Sequence, residues 1–365
     1  MRFKLVLVVT LVSLALMVAL SPSAFASSVQ WVKYAGNPVL LPTPGTWDAD
    51  YVTTPRVVFD GSTYRMWYQG GLSGVSKIGY ATSTNGISWS KHGIVLSPGA
   101  SDDWDSSSIG LGSVLRNGTS NYLMWYTGTN GVTYPGGAIG LATSTDGVNW
   151  VKYSGNPVLK PSLLFYDDQL YIAAPYVIRL NLTYNMWYTA KGAATPNTNK
   201  ILYATSFDGI HWTKWPSPVL SPPADLTAWD STGEYSASVI WNGQIFGMWY
   251  TGINQTGLSP RIGFATSPDG GTWTRAANNP ILVPGPQGSW DSAGVEQPSV
   301  VQSGNTYMLF YDGYSSQQGQ RIGLALSPQG FTIAEFPAPA VQLLLGLMAC
   351  STIYMTCYRR RKKHN

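Results

Sequence analysis

The chain has 365 residues, enough for one large domain or two ordinary ones. Its formal charge of +4 is set by seven basic residues at the two ends. Between residues 27 and 334, fifteen basic side chains face seventeen acidic ones, which excludes a nucleic-acid surface built on net charge. Both cysteines, Cys350 and Cys357, lie near the C-terminus, so the body of the chain relies on packing without disulfide or thiolate chemistry.

In chain order, Arg2 and Lys4 precede an apolar run from Leu5 to Leu20, and Ala24-Phe25-Ala26 offers a small-x-small cleavage site. Residues 1–26 therefore read as a signal peptide that leaves Ser27 as the new N-terminus. From residue 27 to 334 the sequence repeats itself. One unit runs Asn-Pro-Val-Leu, Trp-Asp, Pro-x-Val, Met-Trp-Tyr-Thr-Gly, Ile-Gly-x-Ala-Thr-Ser-x-Asp-Gly and Trp-x-Lys. Its central aromatic falls at Trp67, Trp125, Trp187, Trp249 and Phe310, with spacings of 58, 62, 62 and 61 residues. A second marker agrees: Trp47-Asp48, Trp104-Asp105, Tyr166-Asp167, Trp229-Asp230 and Trp290-Asp291. These markers give five units.

Each unit predicts four strands, in the first about residues 51–59, 63–68, 78–83 and 87–91. Asp60-Gly61 and Asn85-Gly86 are placed to join them as tight hairpins with φ > 0 at both central residues. Asp146-Gly147, Asp208-Gly209 and Asp269-Gly270 repeat the second turn. No useful helical periodicity occurs between residues 30 and 334. Five four-stranded antiparallel units predict an all-β fold, a five-bladed β-propeller closed radially. Trp31–Leu40 differs from Trp150–Leu159 only at Ala35 against Ser154, so the chain opens on a fourth-strand sequence. We expect Trp31–Tyr34 to complete the last blade, with Phe331-Thr332-Ile333 as the competing candidate.

Residues 335–337 form a short linker. Ala338–Tyr358 is uncharged and long enough, at ~1.5 Å per residue, to cross a ~30 Å hydrocarbon core as a transmembrane helix. The basic run from Arg359 to Lys363, within a tail of residues 359–365, belongs on the cytoplasmic side. Glu335-Phe336-Pro337 followed by an apolar helix and a basic tail also resembles the sorting signals cut by archaeosortases and exosortases. The expected location is extracytoplasmic, at the cell surface.

Residues present in every unit read as architecture. The aromatic stripe packs between blades, and the Ser and Asp of Ser-x-Asp-Gly bond backbone groups around the turn. This segment is similar to the Asp-box of sialidases, with one residue fewer or more before the Trp. Acids present in a single unit are the candidates for chemistry. Aligning the units on Pro55, Gly112, Pro175, Ala237 and Pro298 isolates Glu296, where the others have Thr53, Gly110, Ala173 and Tyr235. It also isolates Glu234, three before Ala237, and Asp50 and Asp168 as acids beside a repeated Asp. Arg56 and Arg179, basic residues on first strands or at their ends, are with Asp168 the candidates for substrate binding.

The repeat resembles the five-bladed propellers of the arabinanase, levansucrase and invertase superfamily, including glycoside hydrolase families 43 and 32. Val295-Glu296-Gln297-Pro298-Ser299-Val300 resembles the strand that carries the general acid of family 43, which would make Glu296 the acid. That family places its base Asp just before the Pro of another inner strand. Those places here hold Thr54, Leu111, Ala174 and Ser236, and the Asn-Asp-Pro and Arg-Asp-Pro motifs of family 32 are absent.

Glycoside hydrolysis needs two carboxyl groups, about 5–5.5 Å apart for retention or ~6.5–9.5 Å for inversion. Glu296 with Glu234, or with Asp50 across the ring closure, is the expected pair. The resemblance implies hydrolysis of an extracellular poly- or oligosaccharide. The alternatives are a carbohydrate-binding or adhesion propeller without catalysis, and a purely structural envelope protein. His92 and His211 are isolated and no transition-metal spacing occurs, so no cofactor is expected; a channel Ca²⁺, seen in some relatives, would leave no readable signature. Asn117-Gly118-Thr119, Asn181-Leu182-Thr183 and Asn254-Gln255-Thr256 are N-glycosylation sequons.

Overall fold

The computed structural model describes residues 30–327 apart from 119–120, 134–135, 163–166, 193–197, 255–258 and 305. The expected signal peptide, linker, transmembrane helix and basic tail, and Phe331-Thr332-Ile333, lie outside the described residues. Among the described residues every regular element is a strand, and no helix is long and apolar enough to cross a membrane.

Strand β1 (Val32–Lys33) opens the chain. Blade 1 is β2 (Tyr51–Phe59), β3 (Tyr64–Leu72), β4 (Val75–Ser83) and β5 (Ser90–Leu96). Blade 2 is β6 (Ser108–Arg116), β7 (Tyr122–Thr129), β8 (Ala138–Ser144) and β9 (Val151–Lys152). Blade 3 is β10 (Tyr171–Leu180), β11 (Thr183–Lys191), β12 (Asn199–Ser206) and β13 (Thr213–Lys214). Blade 4 is β14 (Gly233–Trp241), β15 (Phe246–Ile253), β16 (Arg261–Ser267) and β17 (Thr274–Arg275). Blade 5 is β18 (Gly294–Ser303), β19 (Thr306–Ser315) and β20 (Gln318–Ser327), completed by β1, which pairs Val32 with Leu326 and Lys33 with Ala325. The first strands β2, β6, β10, β14 and β18 pack each on the next, and β18 returns to β2. The ring is therefore closed by the N-terminal strand, as the duplicated Trp31–Leu40 segment implies.

The repeated residues build this lattice. Trp67, Trp125, Trp187 and Trp249 are fully buried between sheets. The indole N–H groups of Trp67, Trp125 and Trp187 donate to the carbonyls of Gly147, Gly209 and Gly270, the turn glycines of the following blade, at 2.8–3.0 Å. Those turns are not two-residue hairpins. Only their glycines have positive φ, while Asn85, Asp146, Asp208 and Asp269 do not. Instead Ser144 Oγ accepts the Gly147 amide and Asp146 Oδ1 accepts the amides of Val148 and Asn149, and blades 1, 3 and 4 repeat this. The side-chain turn is longer than a hairpin, which is why the fourth strand of blade 1 starts at Ser90 rather than near Ile87.

The Lys of Trp-x-Lys closes its blade, with Arg275 in its place in blade 4, where it pairs with Asp230 at 3.2 Å. Lys91 pairs with Asp48 at 2.6 Å, Lys152 with Asp105 at 2.6 Å and Lys33 with Asp291 at 2.5 Å. The same Asp accepts the hydroxyl of Tyr68, Tyr126 or Tyr311. In blade 3 this slot is Asp168, with Lys214 as its partner. The repeated aspartate of that unit is therefore Asp168, and Asp167 is the added one. Asp167 sits where the other blades have Trp47, Trp104, Trp229 and Trp290. Those rings lie on paired glycines such as Gly70 and Gly79, where a Cβ would sit 2.6–2.8 Å from the indole. Blade 3 has Ala190 and Leu202 in the glycine positions and Asp167 bonded to Lys200 instead of an indole. Tryptophan and both glycines were replaced together, which is a volume exchange within one chain.

Candidate active site

Each first strand carries a bulge at the channel, with the register broken between Thr53 and Arg56, Leu111 and Ser113, Ala173 and Tyr176, Tyr235 and Ser238, and Glu296 and Ser299. The bulged residues Thr54, Ala174, Ser236 and Gln297 have φ of 51°, 48°, 53° and 56°. Left-handed non-glycine backbone costs of order 1 kcal/mol per residue and must be held by its surroundings. The holder is the residue after the core Tyr of the preceding blade. Thr127, Thr189 and Thr251 hydroxyls accept the amides of Ala174, Ser236 and Gln297 at 2.9–3.0 Å.

At the ring closure the same slot is Asp312, whose carboxylate accepts the Thr54 amide at 2.8 and 3.0 Å and the Thr53 hydroxyl. A threonine would hold the bulge equally well; the aspartate adds a carboxyl group directly opposite Glu296 in the β18–β19 register. Glu296 is 9% exposed; its oxygens accept the Tyr235 hydroxyl at 2.6 Å and the Gln320 amide at 3.0 Å. Burial pushes Glu296 above the usual carboxylate range, against these two bonds. Asp312 is completely buried, and burial followed by the neighbouring Glu296 pushes it well up, opposed by Thr53, Thr54 and Arg56.

Arg56 replaces the serine that Ser113, Ser238 and Ser299 supply in other blades, where their hydroxyls accept amides of the next blade. Its guanidinium is buried, donates to the carbonyls of Gly112, Pro55 and Pro298, and lies over the Tyr176 ring at 5.7 Å. Burial lowers it to about 10, still a cation at neutral pH. It thus braces the bulges of blades 1, 2 and 5 from inside the channel and supplies positive charge behind Asp312.

An open cleft of ≈ 470 Å³ lies at this same seam, walled by Asp50 and Tyr51 of blade 1 and by Tyr314 and residues 315–320 of blade 5. Gln320 both lines the cleft and holds Glu296. Asp50 is exposed and accepts the Ser73 amide at 2.7 Å. The cleft therefore brings Asp50 into one neighbourhood with the Glu296 site.

The remaining expected residues fall elsewhere. Glu234 is one residue off the Glu296 register, aligned with Val52 and Val295, so its side chain turns to the opposite face of its strand from Tyr235. There it is buried and paired with Arg275, and burial still pushes it up to about 8. The expected Glu296–Glu234 pair does not form. Asp168 is a buried blade-closing ion-pair partner, not a channel residue. Arg179 is exposed at the far end of β10, six residues beyond Ala173, and bonds Asn117 at 2.8 Å and covers the Tyr184 ring. Asp312, Tyr235 and Gln320 escaped the sequence reading. Asp312 was visible as the one acid in the slot Gln69, Thr127, Thr189, Thr251; Tyr235 stood in the aligned column as background to Glu296. Among the described residues, no group of three or more His, Cys, Asp or Glu side chains could hold a metal ion.

A closed five-bladed propeller with a buried carboxyl pair at one blade seam beside an open cleft has the architecture of glycosidase-type propellers. Solved structures agree on the fold. A glycosyl hydrolase from Bacteroides ovatus superposes with a TM-score of 0.66 at 19% identity, covering 86% of this chain and 97% of that one. A β-1,2-mannobiose phosphorylase from Listeria innocua superposes with a TM-score of 0.65 at 14% identity, covering 82% and 97%. An uncharacterized protein of Mycobacterium tuberculosis is 32% identical over 228 residues, 60% of this chain and 72% of its own. The model of the glycosyl hydrolases family 32 N-terminal domain matches residues 54–229 and 176–325. The chain belongs to this family.

Proposed function

We propose that this chain hydrolyses an O-glycosyl bond of an extracellular poly- or oligosaccharide, with Glu296 as the proton donor and Asp50 as the base. The observation that carries the reading is the Glu296 environment. A carboxyl that burial raises above the ordinary glutamate value, held by Tyr235 and by the cleft-lining Gln320, is suited to protonating a leaving glycosidic oxygen. Asp50, exposed in the cleft wall, is the acid available there for the complementary role. Asp312 is sealed behind Thr53 and Thr54 and acts on Glu296 rather than on substrate. The apolar N-terminal run and the C-terminal apolar segment with its basic tail support display at the cell surface.

A second reading, carbohydrate binding without cleavage, is favoured by one specific feature: Glu296 is the one acid of the buried pair with any exposure. Hydrolysis of arabinan, xylan, fructan and mannan oligosaccharides by the purified full chain, with Glu296→Gln and Asp50→Asn as controls, separates the two. Cleavage by the wild type that both variants lose supports hydrolysis. Cleavage that survives Glu296→Gln overturns the acid assignment, and glycan binding without any cleavage favours the second reading.

A further inference from the structure

We propose that the cleft between blades 5 and 1 takes an uncharged sugar residue and rejects uronates and sugars bearing phosphate or sulfate. The inference rests on the glycan reading above and names the substrate class. Its first support is the floor and wall of the cleft. Tyr51 and Tyr314 are half-buried with their rings seated on Gly71 and Gly294, where any Cβ would run into the ring carbons. Tyr51 is further fixed by its hydroxyl against Ser76 Oγ at 2.5 Å. Two rings held against glycine backbone are rigid apolar surfaces for the C–H face of a sugar, gained at little entropic cost on binding.

The second support is the polar lining. The blade 5 segment from Ser315 to Gln320 offers two serine hydroxyls and three glutamine amides, each able to donate and accept, as hydroxyl groups of neutral sugars demand. Gly319 lies directly over the Asp50 carbonyl, so this segment is seated close on blade 1 and its amides are set against that wall.

The third support is charge. Among the described residues lining the cleft there is no lysine or arginine, and the one ionisable acid is Asp50. Glu296 stands behind Gln320, and Asp312 behind Glu296. Arg321 is taken up by the cleft-lining Gln318, and Arg56 is buried against backbone carbonyls. An anionic ligand would meet the Asp50 side chain with no lysine or arginine in the lining to receive it. The same deficit argues against inorganic phosphate as the attacking group, so the site suits water.

The test is binding of the full chain, by calorimetry in low salt, to matched neutral and acidic oligosaccharides: mannan against mannuronan, and galactan against galacturonan. At least one neutral ligand is expected to bind tenfold or more tightly than its uronate counterpart. Asp50→Asn should narrow that ratio, and Gln317→Lys, at an exposed position of the blade 5 segment, should narrow it further or reverse it. Uronates that bind as tightly as neutral sugars, or a ratio that neither variant moves, overturn the inference while leaving the glycan reading intact. Binding of no glycan of either kind overturns that reading and this inference together.

Discussion

Blade 2 and the seam between blades 5 and 1 are built from the same slots and filled differently. In blade 2 the three inner positions read Gly110, Ser113 and Thr127. Ser113 and Thr127 each accept an amide of blade 3. At the seam those positions read Glu296, Arg56 and Asp312, and the backbone they support is nearly the same. The comparison separates what the ring needs from what has been added to it. Small hydroxyls suffice to hold adjoining blades, so the two carboxyls and the guanidinium are surplus to architecture. Burying them costs free energy that hydroxyl side chains would not. Polar groups kept at such cost, and gathered at one seam beside the cleft, point to chemistry.

The sharpest break of this comparison is Glu296→Gln. On any glycoside that the wild type cuts, turnover should fall about 100-fold or more, with an unchanged melting temperature because glutamine still accepts from Tyr235. The opposite outcome is expected for Trp125→Ala in blade 2. Urea unfolding should show a loss of about 3–5 kcal/mol, while the folded fraction keeps its substrate preference.

Glu234→Gln sharpens the distinction between a buried acid of the lattice and one of the site. Because the folded Glu234 is raised to about 8, its proton stabilises the fold below the ordinary glutamate range, and that stability is lost as pH rises toward about 8. Wild-type stability should therefore fall relative to the variant by about 1.4 kcal/mol per pH unit across this window. A parallel pH dependence of the two proteins would contradict the assignment.

Asp312→Thr installs the residue of the sister blades. It should fold normally, because Thr127, Thr189 and Thr251 hold the same bulge. Because Glu296 raises Asp312, removing the second carboxyl should, by the reciprocal interaction, move the alkaline limb of the rate profile to lower pH. An unmoved limb would show that Asp312 does not act on the ionisation of Glu296. The smallest effect is expected in blade 3. Asp167→Trp should cost about 1–3 kcal/mol by crowding Ala190 and Leu202, and adding Ala190→Gly with Leu202→Gly should recover much of it.

The fold was legible because the architecture is written five times. Trp67, Trp125, Trp187, Trp249 and Phe310 mark the blades, and the Trp31–Leu40 duplication marks the closure. Turn geometry was less legible, since Asp-Gly suits a tight hairpin as well as the longer side-chain turn that Ser144 and Asp146 form. In blade 3, Asp167 and Asp168 could not be told apart until Lys214 and Lys200 chose between them. Glu296 stood out as a departure from an aligned column. Asp312 stood in a column read as architecture, one residue past the Tyr core. Glu234 failed as a site residue because one step along a strand turns a side chain to the other face.

The most direct test is a crystal structure of the Glu296→Gln protein with the oligosaccharide it binds best. The account predicts a sugar in the cleft between Tyr51 and Tyr314, with a glycosidic oxygen within hydrogen-bonding distance of residue 296. A sugar bound to blade 3, or at the far end of the channel near Arg179, would contradict it.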